Sequence, residues 1–229
     1  MTEQKKTINI HLTYWHLLTL IILVLCLYNS YQIMKIILMK LPASTSNAVQ
    51  GITTTTIKVQ VSAGDTPFKG SASGKVIIIE FSDYQCPFCQ SAEATISQIL
   101  SNYPNDVKIY YRNFPLVQLH PNAINASMAA ECSNEQGKFW EMHDKLFANQ
   151  QNLDVPSLKE YAKDLGLDSA KFNNCLDSNK YKDQIVKDYN DGIAAGVQGT
   201  PDFFINGVLI EGAQPYSVFD QAIKSVLGG

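Results

Sequence analysis

The sequence carries little charge, and it lacks the excess of basic residues that is typical of nucleic-acid-binding proteins. Of its 229 residues, 17% are charged, and the formal net charge is −3, whereas about 25% are charged in an average soluble domain. Its 13 glycines and 9 prolines are too few for a collagen-like or disordered chain. Five cysteines are too few for a small scaffold held together by disulfides alone. We therefore expect one globular domain with additional segments, and no nucleic-acid partner.

Charged residues are absent from one long run near the start of the chain, between Thr7 and Met34. A bilayer is spanned by about 20 apolar residues in a helix, and aromatic residues favour its two interfaces. Such residues lie towards the ends of this run, at Tyr14, Trp15, Tyr28 and Tyr31. We predict a short tail over residues 1–11, a transmembrane anchor over 12–39 in contact with lipid, and a polar linker over 40–55.

Two alternatives to the anchor remain open, a cleavable signal peptide and a buried core helix. The lysines that flank the run are nearly balanced between its two sides, at Lys5, Lys6, Lys35 and Lys40. Because of this balance, the positive-inside rule does not fix the orientation of the anchor.

From residue 56 onwards, the pattern of apolar residues predicts an α/β domain. Strands are predicted at Ile57–Val61, Lys75–Phe81, Val107–Tyr111, Phe203–Ile205 and Val208–Ile210, with an Asn206-Gly207 hairpin between the last two. Helices are predicted at Ser91–Leu100 and Val218–Leu227, and a helical insertion at about 120–195 is broken by Gly137, Pro156 and Gly166. Its apolar periodicity would pack it against the sheet through Phe139, Trp140, Leu146 and Phe147.

A Cys-x-x-Cys motif, Cys86-Pro87-Phe88-Cys89, follows the predicted buried strand and opens the next helix. A cysteine at a helix N-terminus meets unpaired N–H groups and the positive end of the helix dipole, which lower its pKa. The second cysteine lies one turn further on, where it can close a disulfide. The spacing predicts redox chemistry at this pair, with half of a zinc site and two inert buried cysteines as the alternatives.

A second feature lies far along the chain, where Gly199-Thr200-Pro201 precedes a predicted strand. A proline in such a tight turn can adopt the cis form. That geometry would leave the backbone N–H and C=O of Thr200 free beside the two sulfurs. A substrate peptide could then pair with them as an added strand.

The motif belongs to a set of segments that together are specific to one family: Glu80–Cys89, Arg112–Leu116, His120–Ala123, Ala129–Cys132, Gln136–Trp140 and Gly196–Pro201. The chain resembles the membrane-anchored branch of the DsbA-like thiol:disulfide oxidoreductases, which have a thioredoxin fold. The resemblance implies that Cys86 attacks, that Cys89 resolves, and that Pro201 is cis. It also implies that Glu80 is the acid behind the pair, although an exposed glutamate at the end of a strand is the alternative. Substrate contacts are expected at Pro87, Phe88, Thr200 and Pro201.

One position departs from the strong oxidant of that family, which carries a histidine between its cysteines where this chain has Phe88. Without that cation, the pKa of Cys86 should lie above the extreme low end of the range for such cysteines. The expected reduction potential is nearer to about −180 mV than to −120 mV, so the chain should be a weaker oxidant.

Two further cysteines, Cys132 and Cys175, both fall in the helical insertion. We predict a structural disulfide between them, which would require an oxidising compartment, and two reduced core cysteines are the alternative. His120 is close in sequence to the expected active-site face, and either a functional role or a plain loop position is open to it.

The prediction is an enzyme of the cell membrane, with a single span and an extracytoplasmic domain, that forms disulfides in exported proteins carrying free cysteines. The resemblance implies a recycling partner, a membrane quinone-linked oxidase of the DsbB or vitamin-K-epoxide-reductase type. No cofactor and no metal are expected. A disulfide reductase or isomerase of the same fold is one alternative, and a non-enzymatic metal- or peptide-binding module is another.

Overall fold

The computed structural model describes Leu23 and residues 25–29, 59–64 and 66–228. The chain divides into two compact units, Met1–Thr54 and Thr55–Gly229. In the first unit, the described residues are helical and exposed. Within the described ranges, no helix combines the length and the apolar character that a membrane span requires. The tail, the linker and the rest of the predicted anchor over 12–39 lie outside these ranges.

The second unit is built on a mixed sheet, with strand order β1-β3-β2-β4-β5 in its described part. Strand β2 pairs in parallel with β3, whereas β1, β4 and β5 each pair antiparallel with a neighbour. The predicted α/β class is confirmed. The strands are β1 (Lys69–Gly70), β2 (Val76–Ser82), β3 (Val107–Asn113), β4 (Asp202–Ile205) and β5 (Val208–Glu211).

The centre of the sheet is set by the apolar run that forms β2. Its β-branched isoleucines favour an extended backbone, and all its residues except Ile77 are buried. The predicted hairpin joins β4 to β5, with φ angles of 46° at Asn206 and 85° at Gly207. Both angles are positive, as a two-residue hairpin turn requires, and this explains the Asn-Gly pair.

Two helices, α1 (Pro87–Asn102) and α7 (Tyr216–Leu227), cover one face of the sheet. Their side chains, including Ile96 and Phe219, pack there against Ile78 and Ile109. The opposite face buries Phe81 and Phe204 against Phe114 and Val197. The predicted βαβ unit is therefore present as β2-α1-β3.

The helical insertion consists of α2 (Ala123–Asn134), α3 (Phe139–Ala148), α4 (Val155–Asp164), α5 (Ser169–Asp177) and α6 (Lys182–Ala195). Gly137 and Gly166 follow helix ends with positive φ, as expected of helix-terminating glycines. The break that was predicted at Pro156 lies just before it, between the end of α3 at Ala148 and the start of α4 at Val155. The proline itself lies in the first turn of α4, where its missing N–H costs nothing. The core of the insertion also contains Tyr84, Cys86 and Cys89, so the Cys-x-x-Cys motif is packed directly against it.

The predicted strand at Ile57–Val61 is also wrong within the described residues, since residues 59–63 do not form a strand. The N–H of Val59 donates to the carbonyl of Gly207 at 2.8 Å, and the carbonyl of Ser62 accepts from the buried Arg112. The alternating apolar side chains instead pack on the core around Phe81. The alternation of apolar residues therefore marks a segment with one buried side and not a strand. The edge strand of the sheet next to β3 is β1.

A disulfide joins Cys132 of α2 to Cys175 of α5, with an S–S distance of 2.03 Å and a Cα–Cα distance of 5.8 Å. The two residues are separated by 43 positions in the sequence. Because the bond closes a long loop, it limits the freedom of the unfolded chain and ties the helices of the insertion together.

Replacing both cysteines, as Cys132→Ala with Cys175→Ala, should lower the free energy of unfolding by up to about 4 kcal/mol, because the unfolded chain regains the entropy of the open loop. Denaturant unfolding of the oxidised proteins measures this loss. Cys26→Ser, at an exposed position, is the control and should change nothing. Equal stability of the double variant and the wild type would contradict a stabilising role for the bond.

Candidate active site

Cys86 and Cys89 lie at the junction between β2 and α1. Cys86 is the N-cap residue of α1, and Pro87 is the first residue of the helix. The N–H of Cys86 donates to the carbonyl of Asp83 at 3.0 Å, which closes the turn that leads into the helix. The side chain of Phe88 is 66% exposed, while Cys86 is only 3% exposed. The reactive sulfur is thus recessed behind an exposed apolar residue.

The pKa of Cys86 is lowered from 9.0 to about 5. The largest cause of this lowering is the neighbouring Cys89 thiol; the Thr200 side chain and the backbone N–H groups of Cys89 and Phe88 add to it, and burial opposes it. The sequence argument placed the whole effect on the helix N-terminus, whereas the neighbouring thiol contributes most. A pKa of about 5 agrees with the expectation that Cys86 would not reach the extreme low end.

The pKa of Cys89 moves in the opposite direction, well above its ordinary value. Burial is the largest cause, since the residue is 0% exposed, and its hydrogen bond to the Cys86 sulfur adds to the effect. The N–H of Asp83 donates to the Cys89 sulfur at 3.5 Å. At neutral pH the pair therefore holds one thiolate, on Cys86, and one thiol, on Cys89.

The loop before β4 faces the two sulfurs. The peptide bond between Thr200 and Pro201 is cis, and the Cys86 thiol donates to the carbonyl of Thr200 at 3.4 Å. The sequence argument had expected this carbonyl to be free. In the dithiol state it instead accepts a hydrogen bond from Cys86. Once Cys86 loses its proton it has no hydrogen to donate, and the carbonyl becomes available to an N–H group of a substrate.

Glu80 lies in the middle of the sheet and is 2% exposed, so the alternative of a solvent-exposed glutamate is excluded. Burial raises its pKa from 4.5 to about 7, and a contact with Ser82 partly opposes this rise. Near neutral pH the carboxyl is thus present in both protonation states, as a group that exchanges protons with a thiol requires.

Sequence reasoning missed the role of Asp83, which is completely buried. One of its carboxylate oxygens accepts from the N–H of Gln85 at 2.7 Å. The other accepts from the N–H of Leu116 at 2.8 Å and pairs with Nδ1 of His120 at 2.8 Å. His120 therefore contacts the active-site loop through Asp83. The signal for this role in the sequence was the position of Asp83, three residues before Cys86.

Two glutamines tie the insertion to the motif, and the sequence gives no signal for either. The side-chain amide of Gln150 donates to the carbonyls of Tyr84 and Cys86 at 2.8 and 2.9 Å. The amide of Gln90 donates to the carbonyl of Phe147 at 2.6 Å. These bonds fix the start of α1 against the end of α3, and they hold the position of Cys86.

The described structure offers little support for a metal site at the cysteine pair. Cys132 and Cys175 are bonded to each other, so they cannot complete a zinc site with Cys86 and Cys89. Within the described residues, the side chains that place three ligand atoms within 4.8 Å of one another are Glu93, His143 and Asp144. Lys69 already pairs with Asp144 at 3.1 Å in that group, which leaves a metal ion in competition with an ammonium group.

Comparison with curated proteins identifies relatives much longer than this chain. It is 33% identical over 190 residues to the Na(+)/H(+) antiporter NhaA 1 of Salinispora arenicola, covering 82% of this chain and 29% of that protein. It is 37% identical over 150 residues to NhaA 3 of Salinispora tropica, covering 66% and 22%. The matched part of this chain thus spans less than a third of either antiporter.

Solved structures share the fold over nearly their whole length. A thioredoxin-like oxidoreductase from Silicibacter pomeroyi DSS-3 is 26% identical with a TM-score of 0.65, covering 72% of this chain and 93% of the other. BdbD from Bacillus subtilis is 24% identical with a TM-score of 0.67, covering 76% and 99%. The thiol-disulfide exchange protein alpha-DsbA2 from Wolbachia pipientis is 23% identical with a TM-score of 0.61, covering 70% and 87%.

The family model described as thioredoxin matches residues 62–225, which is most of the second unit. This match agrees with the mixed sheet, the Cys-x-x-Cys motif at the start of α1 and the cis proline opposite it. The chain therefore belongs to the thioredoxin family, as an oxidoreductase with the fold of the DsbA-like thiol-disulfide exchange proteins.

Proposed function

We propose that this protein forms disulfides in exported proteins by dithiol–disulfide exchange at Cys86-Pro87-Phe88-Cys89. The observation that supports this function is the opposite shift of the two pKa values, lowered at Cys86 and raised at Cys89. A thiolate that is stabilised at Cys86 is a good leaving group. The reduced state of the pair is therefore favoured, and electrons flow from a substrate dithiol to the enzyme disulfide.

The reaction has two exchange steps. A substrate thiolate attacks the sulfur of Cys86, the Cys86–Cys89 bond breaks, and Cys89 leaves with the electron pair and takes up a proton. A second substrate thiolate then attacks the substrate sulfur of the mixed disulfide, and Cys86 leaves as a thiolate. Two electrons pass from the substrate to the enzyme, and the substrate gains one disulfide.

The raised pKa of Cys89 calls for a proton donor inside the protein, since a buried thiolate is costly. Glu80 fits this role because burial brings its pKa to about 7. On this proposal Glu80 supplies the proton when Cys89 leaves, and it recovers a proton before the next turnover.

Substrate binding is proposed at the exposed edge of the motif. Phe88 and Pro87 are both exposed, and the carbonyl of Thr200 is at contact distance from the Cys86 sulfur. An extended peptide can place a backbone N–H on that carbonyl and an apolar side chain on Phe88. Leu119 is 72% exposed in the loop that Asp83 holds next to the motif, and it offers a second apolar contact.

We further propose that the domain lies outside the cytoplasm, held by a single membrane span within residues 12–39. The uncharged run between Thr7 and Met34 supports the anchor, and the disulfide between Cys132 and Cys175 is favoured in an oxidising compartment. Its oxidant would be a membrane quinone-linked oxidase of the DsbB or vitamin-K-epoxide-reductase type. Antiporter activity is not proposed, because the match covers less than a third of the antiporters' length.

Replacing the resolving cysteine, as Cys89→Ala, should leave mixed disulfides trapped on Cys86. The Cys86 thiolate still attacks a substrate disulfide and releases one substrate thiolate, and no second thiol of the enzyme remains to break the new bond. The variant is purified from cells in a Cys26→Ser background under acid quench, and its partners are identified by mass spectrometry. Exported proteins with paired cysteines are the expected partners.

The matched control for this experiment is Cys86→Ala in the same background, which should trap few partners, since the remaining thiol is buried. Equal yields from the two variants would contradict the assigned roles. Wild-type protein isolated mainly as the dithiol would contradict the oxidising direction and favour the reductase or isomerase.

Removing the buried carboxyl, as Glu80→Gln, should change how stability depends on pH. In the wild type, the raised pKa of Glu80 stabilises the folded state when the pH is below the unfolded-state pKa near 4.5. This contribution to the free energy of unfolding is lost as the pH rises through 7. The variant should match the wild type at pH 4 and exceed it by about 3 kcal/mol at pH 8. Denaturant unfolding of the oxidised proteins measures both differences.

The control is Glu211→Gln, which removes an exposed carboxyl and should give no comparable gain in stability at pH 8. If Glu80→Gln shows no gain at pH 8, then Glu80 is not held in the buried environment that the proton-donor role requires.

A further inference from the structure

Ser82 is a buried residue of β2 to which the mechanism so far gives no part. It follows Glu80 by two positions, so the two side chains lie on the same face of the strand, while Phe81 lies on the other. That face is the one beneath α1, because Ile78, two residues earlier, packs against Ala92 and Ile96 of this helix. Both Glu80 and Ser82 thus point towards the helix that carries Cys89.

The backbone places Ser82 next to the resolving cysteine. The N–H of the following residue, Asp83, donates to the Cys89 sulfur at 3.5 Å. The Ser82 hydroxyl lies close enough to Cys89 and Glu80 to lower the pKa of each. It is completely buried, and its Oγ makes a hydrogen bond of good geometry with neither neighbour in the described structure.

An unpaired buried hydroxyl is unfavourable, so its presence beside the motif calls for a reason. A serine hydroxyl has one proton to donate and two lone pairs to accept with. It can therefore accept from one neighbour while it donates to the other, but it cannot donate to both at once. Cys89 and Glu80 are the two groups between which a proton must move in the proposed reaction.

We propose that the Ser82 hydroxyl relays the proton between Glu80 and Cys89. When a substrate thiolate attacks Cys86 and the disulfide breaks, Cys89 leaves as a thiolate and takes the proton of Ser82 Oγ, while Ser82 takes the proton of the Glu80 carboxyl. The serine ends unchanged, Cys89 becomes a thiol and Glu80 a carboxylate. This inference rests on the proposed thiol exchange and adds a further catalytic residue to it.

Other titratable groups surround the relay and must be separated from it. Glu80 faces Tyr111 from β3, Tyr84 from the loop after β2 and Glu93 from α1. Burial raises the pKa of Glu93 to about 7, close to that of Glu80, so a pH profile alone would not distinguish the two carboxyls. Glu93→Gln therefore accompanies the test.

The test is the single-turnover reaction of the oxidised full-length protein with excess glutathione, followed by rapid mixing and acid quench. Ser82→Ala should form the mixed disulfide about tenfold more slowly than the wild type, because Cys89 then leaves without its proton donor. Its solvent deuterium isotope effect should fall towards one. Alkylation of Cys86 in the reduced variant should keep its wild-type pH midpoint, since Ser82 is not among the groups that set the pKa of Cys86.

Two variants keep this result specific. Ser127→Ala removes another buried and unpaired hydroxyl, in α2, and should leave the reaction unchanged. Ser82→Thr retains a hydroxyl and should recover the rate to within about threefold of the wild type. If the added methyl group prevents this variant from folding, the isotope effects of the wild type and Ser82→Ala decide the question.

The relay is overturned if Ser82→Ala exchanges at the wild-type rate with the same isotope effect. It is also overturned if the variant loses rate but Cys86 alkylation slows to the same extent, since that result would reflect a general distortion of the site. A wild-type protein that does not exchange with glutathione at all would instead overturn the proposed function.

Discussion

The pKa of Cys86 is lowered by three kinds of donor, namely the Cys89 thiol, the Thr200 side chain and backbone N–H groups at the start of α1. These donors come from three places in the chain, namely the motif, the helix turn and the loop with the cis proline. Each must be held still for the thiolate to be stabilised, since a hydrogen bond weakens steeply with misalignment. Much of the domain serves to hold these donors in position around the Cys86 sulfur.

Several parts of the structure hold the Cys86 sulfur in position. The sheet fixes the end of β2, where the carboxylate of Asp83 binds the loop at Leu116 and His120. The insertion reaches the same place through Gln150, which donates to the carbonyl of Cys86. The disulfide between Cys132 and Cys175 then ties α2 to α5 behind it. A change far from the sulfurs can therefore alter their chemistry through position alone.

The interaction between the two cysteines of the motif, Cys86 and Cys89, shifts their pKa values in opposite directions. A proton shared from Cys89 to Cys86 stabilises a charge on Cys86 and makes a charge on Cys89 harder to form. The cost of the second charge falls on a completely buried sulfur, which explains why a carboxyl with a raised pKa lies in the strand behind it. The stability of Cys86 as a leaving group and the need of Cys89 for an internal proton donor thus both follow from the interaction between these two sulfurs.

Much of this site was predictable because its signals are local. The spacing of the cysteines, the apolar run before them and the proline after Thr200 each have a direct structural meaning, and the Asn206-Gly207 turn was predicted for the same reason. The alternation at Val59 and Val61 misled, because one buried side occurs in a packed loop as well as in a strand. Gln150 could not be found, since its contacts with Tyr84 and Cys86 depend on the register of distant elements.

The difference between the two sulfurs is tested most directly by ultraviolet titration of thiolate in the reduced protein, with Cys26→Ser in the background. One thiolate should form with a midpoint near pH 5, and this transition should vanish in Cys86→Ser. A first transition near the ordinary thiol value, or one that survives in Cys86→Ser and is lost in Cys89→Ser, would contradict the account.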